Sequence, residues 1–560
     1  MRRWMSCILF MALQGLGVIP VVFAMTPMER EYQAALEFRK LFAGHAAASY
    51  GPDEIRQLIF LPNRAVLERR LDGLASVEDV LAAHRSRLQT ILPGQLYREA
   101  AHIPHPEDVL TPRHPVTIVI LPGIFGEFID HIPYEEILAD PATSFAQTWA
   151  QVTADPDFAD PVLDLDSMEQ HREPIRDLVK AGSLDDASGN ARVRILLLKA
   201  PKASLESLGT LAETTAIYQR RLTKIFNRLG PPEHAYFLGY SRGLNVGMEL
   251  VSTTDPGAFP WIRGFQGLIS LGGVTYGSAV ADRALNPERV EGRILQRIHQ
   301  LADTLEIPEA GAVDTIGMML RNTGRWAAAL ADIAAMSREM APPTGLQLEN
   351  IQSDAIDIGF LARMFRDIAL EKFQLDRPFT DYVQNVRRFK LFVKEAQEGV
   401  LSLGTEACLA WMKTHRLPEQ LHYYAITSTM PDPSTPETGV APLTANPLAY
   451  EPRGMDYRML RASYYSYWEE SGMSLNDSQI SLDRSPFWPE LHQLANPEQK
   501  PFRSTLLAVL GTDHWGMAFP VAFETESGRI NPFPRTILMR ALGDYLGAQE
   551  EARTENRRMP

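Results

Sequence analysis

AYFLGYSRGLNVGMELV, residues 235–251, decides the reading of this chain. AYFL is an aromatic and aliphatic run of the kind that forms a strand buried on both faces, and LNVGMELV has the apolar content of a packed helix. Between them Gly239, Ser241 and Gly243 spell G-x-S-x-G. A serine hydroxyl is a weak nucleophile, so it must protrude from a sharp strand-to-helix turn toward a base, and glycines on either side relieve the crowding there. The spacing alone is common by chance. The order strand, elbow, helix is what makes Ser241 the candidate nucleophile.

Outward from this segment, β-branched and aliphatic runs recur: VTIVIL (116–121), VRILLL from Val193, GLISL from Gly267, HYYAIT from His422 and STLLAVL from Ser504. Helical stretches separate most of them. In one, Tyr218, Leu222, Ile225, Phe226 and Leu229 share a face that Gly230 and Pro231 bring to an end. Strands alternating with helices predict an α/β fold with a mostly parallel central sheet flanked by helices. Residues 25–113 show helical periodicity and nothing catalytic, and read as a helical N-terminal extension. Residues 114–284 and 401–545 supply the two parts of the α/β core. Between them, 285–400 lose the strand signal and become rich in helix and methionine, including Met318, Met319, Met336, Met340 and Met364. That insertion is either extra helix packed on the core or a cap or lid lining an acyl pocket. Residues 546–560 read as a charged C-terminal tail.

At 560 residues, with 45% hydrophobic and 22% charged positions, the chain has ample material for a packed core. Arg2 and Arg3 precede an uncharged run that ends in Val22, Phe23 and Ala24, the pattern of a cleaved secretory signal over 1–24. The alternative is a retained anchor, since the run approaches the roughly 20 residues that span a bilayer. Export to the periplasm or medium follows from the first reading, and membrane attachment from the second. Cleavage would lower Lys plus Arg from 55 to 53 against 69 acids, a net charge of −16, which excludes nucleic acid as a natural partner. Only Cys408 would then remain, so no intramolecular disulfide is expected.

With these segments in hand, the chain resembles the α/β-hydrolase superfamily, and several stretches are similar to the bacterial true lipases. LPGIFG (121–126) follows the first clear strand as the oxyanion loop does in those lipases, with Pro122 where they carry histidine. The resemblance implies that the backbone N–H groups of Ile124 and Arg242 form the oxyanion hole. LGGVTYGSAVAD (271–282) matches at Gly272, Gly277, Ser278, Ala281 and Asp282 but has Val274 and Thr275 in place of the usual Pro-His pair, and reads as structural. In this fold the partners of the serine lie C-terminal to it. Of His299, His415, His422, His492 and His514, the last follows the final apolar strand in STLLAVLGTDHWGMAF, the family's context for the base. LNDSQISL (475–482) is similar to the acid-bearing segment of the lipases, which points to Asp477, with Ser478 where they have glycine. Asp432, directly after the HYYAIT strand, is the alternative acid, and Asp513 is too close to His514 to orient it.

Lipases with that acid segment often bind calcium through an aspartate shortly after the histidine, but WGMAFP offers no carboxylate. No metal and no cofactor are expected. Arg242 is unusual, since a cation in the first turn of a helix opposes the helix dipole. It reads as a surface ion pair or as a receptor for an anionic substrate group. The resemblance implies a serine carboxylic-ester hydrolase, lipase-like, acting through an acyl-enzyme on lipid or other hydrophobic esters. An acyltransferase or thioesterase could use the same residues, and a non-catalytic binding protein could keep the fold. The expected partner is a small-molecule or lipid ester; contact with a membrane surface and the oligomeric state are left open.

Overall fold

The computed structural model describes residues 25–62, 64–68, 76–91, 95–96, 114–124, 132–165, 167–186, 189–201, 204–307, 315–337, 382–430, 464, 467–468, 471–519 and 533–558. In chain order its principal elements begin with α1 (Pro27–Ala46), β1 (Ile59–Phe60), α2 (Val77–Leu88), β2 (Val116–Leu121), β3 (Ala159–Asp164), β4 (Glu169–Pro174), β5 (Val179–Asp185), β6 (Ala191–Leu198) and α3 (Leu211–Leu229). There follow β7 (Ala235–Tyr240), α4 (Gly243–Thr253), β8 (Phe265–Leu271), α5 (Ala279–Leu285), α6 (Val290–Thr304), α7 (Thr315–Ser337) and α8 (Tyr382–Leu401). The chain closes with α9 (Thr405–Thr414), β9 (His422–Ser428), α10 (Pro489–Ala495), β10 (Arg503–Leu510) and α11 (Arg535–Arg558).

Eight strands form one sheet in the order β1-β10-β9-β8-β7-β2-β6-β5, and β3 and β4 pair as a separate hairpin. The six inner strands run parallel, while β1 and β5 close the two edges antiparallel. Alternate residues of a strand face opposite sides of the sheet. Ile118 and Ile120 accordingly join one core with Tyr236, Leu238, Ile269 and residues of α1 and α11. Val119 and Leu121 join the other, with Phe237, Leu268 and residues of α3 and α4. Both faces are covered, as the unbroken apolar runs predict. From β2 the chain goes first to β6 on one side and then to β7 on the other. That reversal opens a crevice at the carboxyl ends of the strands, where open α/β sheets place their ligands.

The N-terminal extension is helical as predicted, and it is also part of the sheet. Thr26 caps α1 by accepting from Glu29 N–H, with Pro27 in the first turn. Phe38, Leu41 and Phe42 of α1 are buried in the same core as Leu507, Leu542 and Tyr545. Glu31 reaches β10, where its carboxylate accepts from Leu506 N–H at 2.9 Å, at the irregularity between Leu506 and Ala508. Ile59 and Phe60 then pair with Leu510 and Val509, capping an edge that would otherwise present unpaired backbone groups. The C-terminal boundary is corrected: the segment from 546 is no tail, because α11 continues to Arg558 with Leu546 and Glu550 buried.

The insertion has its own apolar core. Ile294, Ile298 and Leu301 of α6 meet Trp326 and Ala329 of α7 and Phe389, Phe392 and Val393 of α8, together with Leu205 and Leu208 from the loop after β6. Met318 is buried there, with Met319 and Met336 packed against it; Met340 and Met364 lie outside the described residues.

Candidate active site

Ser241 stands between β7 and α4 with φ of 52°, a left-handed conformation that a residue with a β-carbon rarely adopts. The turn is that tight because β7 and α4 nearly touch. A β-carbon on Gly239 would lie 2.4 Å from Leu244 Cα, and one on Gly243 would lie 2.2 Å from the Leu121 carbonyl oxygen. Gly123, just after β2, packs so closely that a β-carbon there would be 3.1 Å from Ser241 Cβ. The Pro122–Ile124 turn is thereby held beside the serine. Ser241 N–H donates to the Leu271 carbonyl at 3.3 Å, tying the elbow to the end of β8.

His514 follows β10 at the same rim and is 1% exposed. Its Nδ1 lies 3.0 Å from Asp477 Oδ2, and its backbone N–H donates to the Asp477 carbonyl at 2.9 Å. Asp477 is fully buried, and both its oxygens are engaged. Oδ2 also accepts from the Ser428 hydroxyl at 3.1 Å, and Oδ1 accepts from Gln479 N–H at 3.0 Å and Ile480 N–H at 2.8 Å. Four hydrogen bonds to one carboxylate fix its orientation. The turn that aims those N–H groups puts Ser478 at φ 84°, the left-handed region, which accounts for a glycine at this position in the segment it resembles. With Nδ1 given to Asp477, Nε2 carries the lone pair. That nitrogen is buried and has no hydrogen-bond partner among the described residues, Ser241 included. Such a pair often closes only when substrate is bound.

Sequence reasoning missed three groups here. Tyr240, the variable residue before the serine, packs its ring 5.2 Å from the His514 ring and donates its hydroxyl to the His514 carbonyl at 3.1 Å. Burial pushes that phenol well above its ordinary pKa, so it stays a donor. Ser428 is one residue past the run that read as a strand. Met517 lies close enough to Gly272 that a β-carbon there would come within 2.8 Å of its sulfur. None of the three belongs to a recognisable pattern, although Tyr240 occupies a variable position of G-x-S-x-G.

The other candidates fall as follows. Asp432 lies outside the described residues. Asp513 is fully buried and accepts from Trp515 N–H at 2.9 Å and Gly516 N–H at 3.0 Å, so it bonds its loop and is not solvated. Burial pushes its carboxyl up to about 6. Burial likewise pushes His422 and His492 down to about 3, leaving both neutral and far from a base's useful range. The Cys408 thiol is buried and raised to about 12, which removes it as a nucleophile. Ser278 and Asp282 of the 271–282 segment are structural: Ser278 donates to the Gln479 carbonyl at 2.7 Å, and Asp282 accepts from Thr405 N–H at 2.7 Å. Among the described residues, no three His, Cys, Asp or Glu side chains are grouped to hold a metal ion.

Arg242 requires a correction. It is 1% exposed and so is not a surface residue. Nε donates to Ser402 Oγ at 3.0 Å, one terminal nitrogen to the Ser207 carbonyl at 2.7 Å and the other to the Gly209 carbonyl. All three nitrogens are thus committed to protein acceptors, which takes away the main attraction of the anionic-substrate reading as well.

No family model matches the chain, and no curated protein does. Among solved structures it is similar to a metagenomic carboxyl esterase, at 13% identity over 87% of this chain and 96% of that one, with a TM-score of 0.35. It is similar also to a mature Bacillus licheniformis lipase, at 11% identity over 73% and 86%, TM-score 0.25. A third is juvenile hormone epoxide hydrolase from the silkworm Bombyx mori, at 11% identity over 79% and 76%, TM-score 0.25. These are similarities at low TM-scores. The fold itself is α/β, with a mostly parallel central sheet flanked by helices. In this chain the sheet brings the ends of β2, β7, β8, β9 and β10 to one rim, where the segments bearing Ile124, Ser241 and His514 leave it and where Asp477 meets His514.

Proposed function

We propose that the chain is an exported serine hydrolase of carboxylic esters, lipase-like in preferring lipid or other hydrophobic esters. The observation that carries this reading is the buried Asp477–His514 pair, whose outer imidazole nitrogen is unpartnered at the rim where Ser241 stands in a strained turn. His514 Nε2 takes the proton of Ser241 as Oγ attacks the ester carbonyl, and Asp477 stabilises the imidazolium. The oxygen of the tetrahedral intermediate takes up negative charge between the N–H groups of Ile124 and Arg242; the latter opens α4, where N–H groups have no intrahelical acceptor. His514 returns its proton to the leaving alcohol, and the acyl group remains on Ser241. Water, deprotonated by the same histidine, then releases the acid and restores the serine.

Export rests on the charge and apolar pattern of residues 1–24, which lie outside the described residues. No helix among the described residues is long and apolar enough to cross a membrane. The preference for hydrophobic esters rests on the apolar insertion that leans on Ile124 beside the elbow.

The test is hydrolysis of p-nitrophenyl esters from acetyl to palmitoyl by the chain from Met25, beside Ser241→Ala, His514→Ala and Asp477→Asn. The serine and histidine variants are expected to lose activity to near background, and Asp477→Asn to fall by about 10³- to 10⁴-fold in kcat. An optimum at long acyl chains supports the lipase-like preference. Equal rates for wild type and Ser241→Ala on every ester would refute the reading.

A further inference from the structure

The two residues assigned as oxyanion donors both lean on one turn of the helical insertion. Arg242, through Nε, bonds Ser402, the residue just after α8, and its terminal nitrogens bond the carbonyls of Ser207 and Gly209. The Ser402 hydroxyl in turn donates to the Gly399 carbonyl at 2.7 Å, inside the last turn of α8. Gly399 is packed against the second donor residue: a β-carbon on it would stand 3.1 Å from Ile124 Cδ1 and 3.0 Å from the Leu208 carbonyl oxygen. A guanidinium is a rigid planar fork, and buried with its nitrogens engaged it has almost no freedom left.

We propose that Arg242, Ser402 and Gly399 are positioning residues, through which the end of α8 and the 207–209 loop hold the N–H groups of Ile124 and Arg242 in the geometry that receives the oxyanion. This deepens the serine-hydrolase reading and rests on it. It also divides the insertion. The Gly399–Ser402 turn is a fixed wall of the site and not a swinging lid, and the cation at the start of α4 is explained by what it grips. Sub-ångström displacement of the donors is enough to matter, because the oxyanion is stabilised only by groups already aimed at it.

The experiment measures the second-order rate at which a p-nitrophenyl alkylphosphonate labels the full chain, with kcat and KM on p-nitrophenyl butyrate and a thermal melt for each protein. The phosphonyl oxygen takes the oxyanion's place, so the labelling rate senses the donors directly. Arg242→Met and Gly399→Val are expected to lose about 10- to 100-fold in labelling rate and kcat with KM within about twofold. Ser402→Ala should lose about three- to tenfold, in keeping with one hydrogen bond. Ethylguanidinium should restore part of the rate in Arg242→Met and none in Gly399→Val. Phe389→Leu, buried in the same helix away from the elbow, lowers Tm to a similar degree without slowing labelling. The proposal is overturned if the three variants label at the wild-type rate, or if all losses, Phe389→Leu included, simply follow Tm. If the wild type does not label at Ser241, the serine-hydrolase reading itself fails and this inference goes with it.

Discussion

At the scale of single residues, the site is built by removing alternatives. Asp477 has every oxygen position filled, His514 has one nitrogen committed and one not, and Ser241 is held in a conformation it would avoid in a free chain. Asp513, the neighbour of His514, has Oδ2 buried with no partner among the described residues, and burial lifts its carboxyl from 3.8 to about 6. An acid raised in this way binds more protons in the folded than in the unfolded chain between those values. Its contribution to stability is therefore greatest below the unfolded value and is lost as pH rises through the folded one. Asp513→Asn is expected to gain Tm relative to wild type on going from pH 4.5 to pH 8, and thermal melts at the two pH values check it. An unchanged difference would mean that Asp513 does not titrate in that window. Ser241 and His514 stood out in the sequence as candidates because each lies in a short pattern beside a strand, and Asp477 because its segment resembles an acid-bearing one. Asp432 competed with Asp477 because a sequence does not show which loop folds back to the imidazole. The burial of Arg242 was illegible for a related reason: its acceptors come from residues 207, 209 and 402, far apart in the chain and without any motif.

At the scale of elements, strands buried on both faces announce themselves, and the inner six appear where unbroken apolar runs predict them. The edge strands do not. VKAGSLD in β5 is only partly buried and mixes polar with apolar residues, and β1 is two residues long, too short for any periodicity. The acid-bearing loop shows how such unannounced parts matter. Asp483 is fully buried and meets Arg85 of α2 at 3.3 Å, while its other oxygen accepts from Ser481 in the same hairpin as Asp477. The extension thus secures the segment that holds the acid. Arg85→Gln removes the ion pair to the Asp483 carboxylate and is expected to cost about 1–3 kcal/mol in urea unfolding, since Arg85 is itself a quarter exposed. A loss below about 0.5 kcal/mol would mean that the pair is screened and that α2 does not brace the loop.

At the scale of the molecule, the rim at the carboxyl ends of the strands gathers contributions from nearly the whole chain. The core supplies the candidate reacting groups, the extension closes the β1 edge and braces the loop bearing Asp477, and the end of α8 backs the elbow through Ser402 and Gly399. The sequence reading separated these three regions by composition and periodicity, which say nothing about their contacts. An N-terminal region without catalytic residues therefore read as an accessory, although it is a strand of the same sheet.

The central claim is that Ser241 is the nucleophile. Incubating the chain from Met25 with a p-nitrophenyl alkylphosphonate, then digesting it and weighing the peptides, tests this directly. The account predicts one equivalent of adduct on the peptide containing Ser241 and none in the His514→Ala protein over the same time. An unlabelled wild type, or an adduct on another residue with Ser241 untouched, would contradict it.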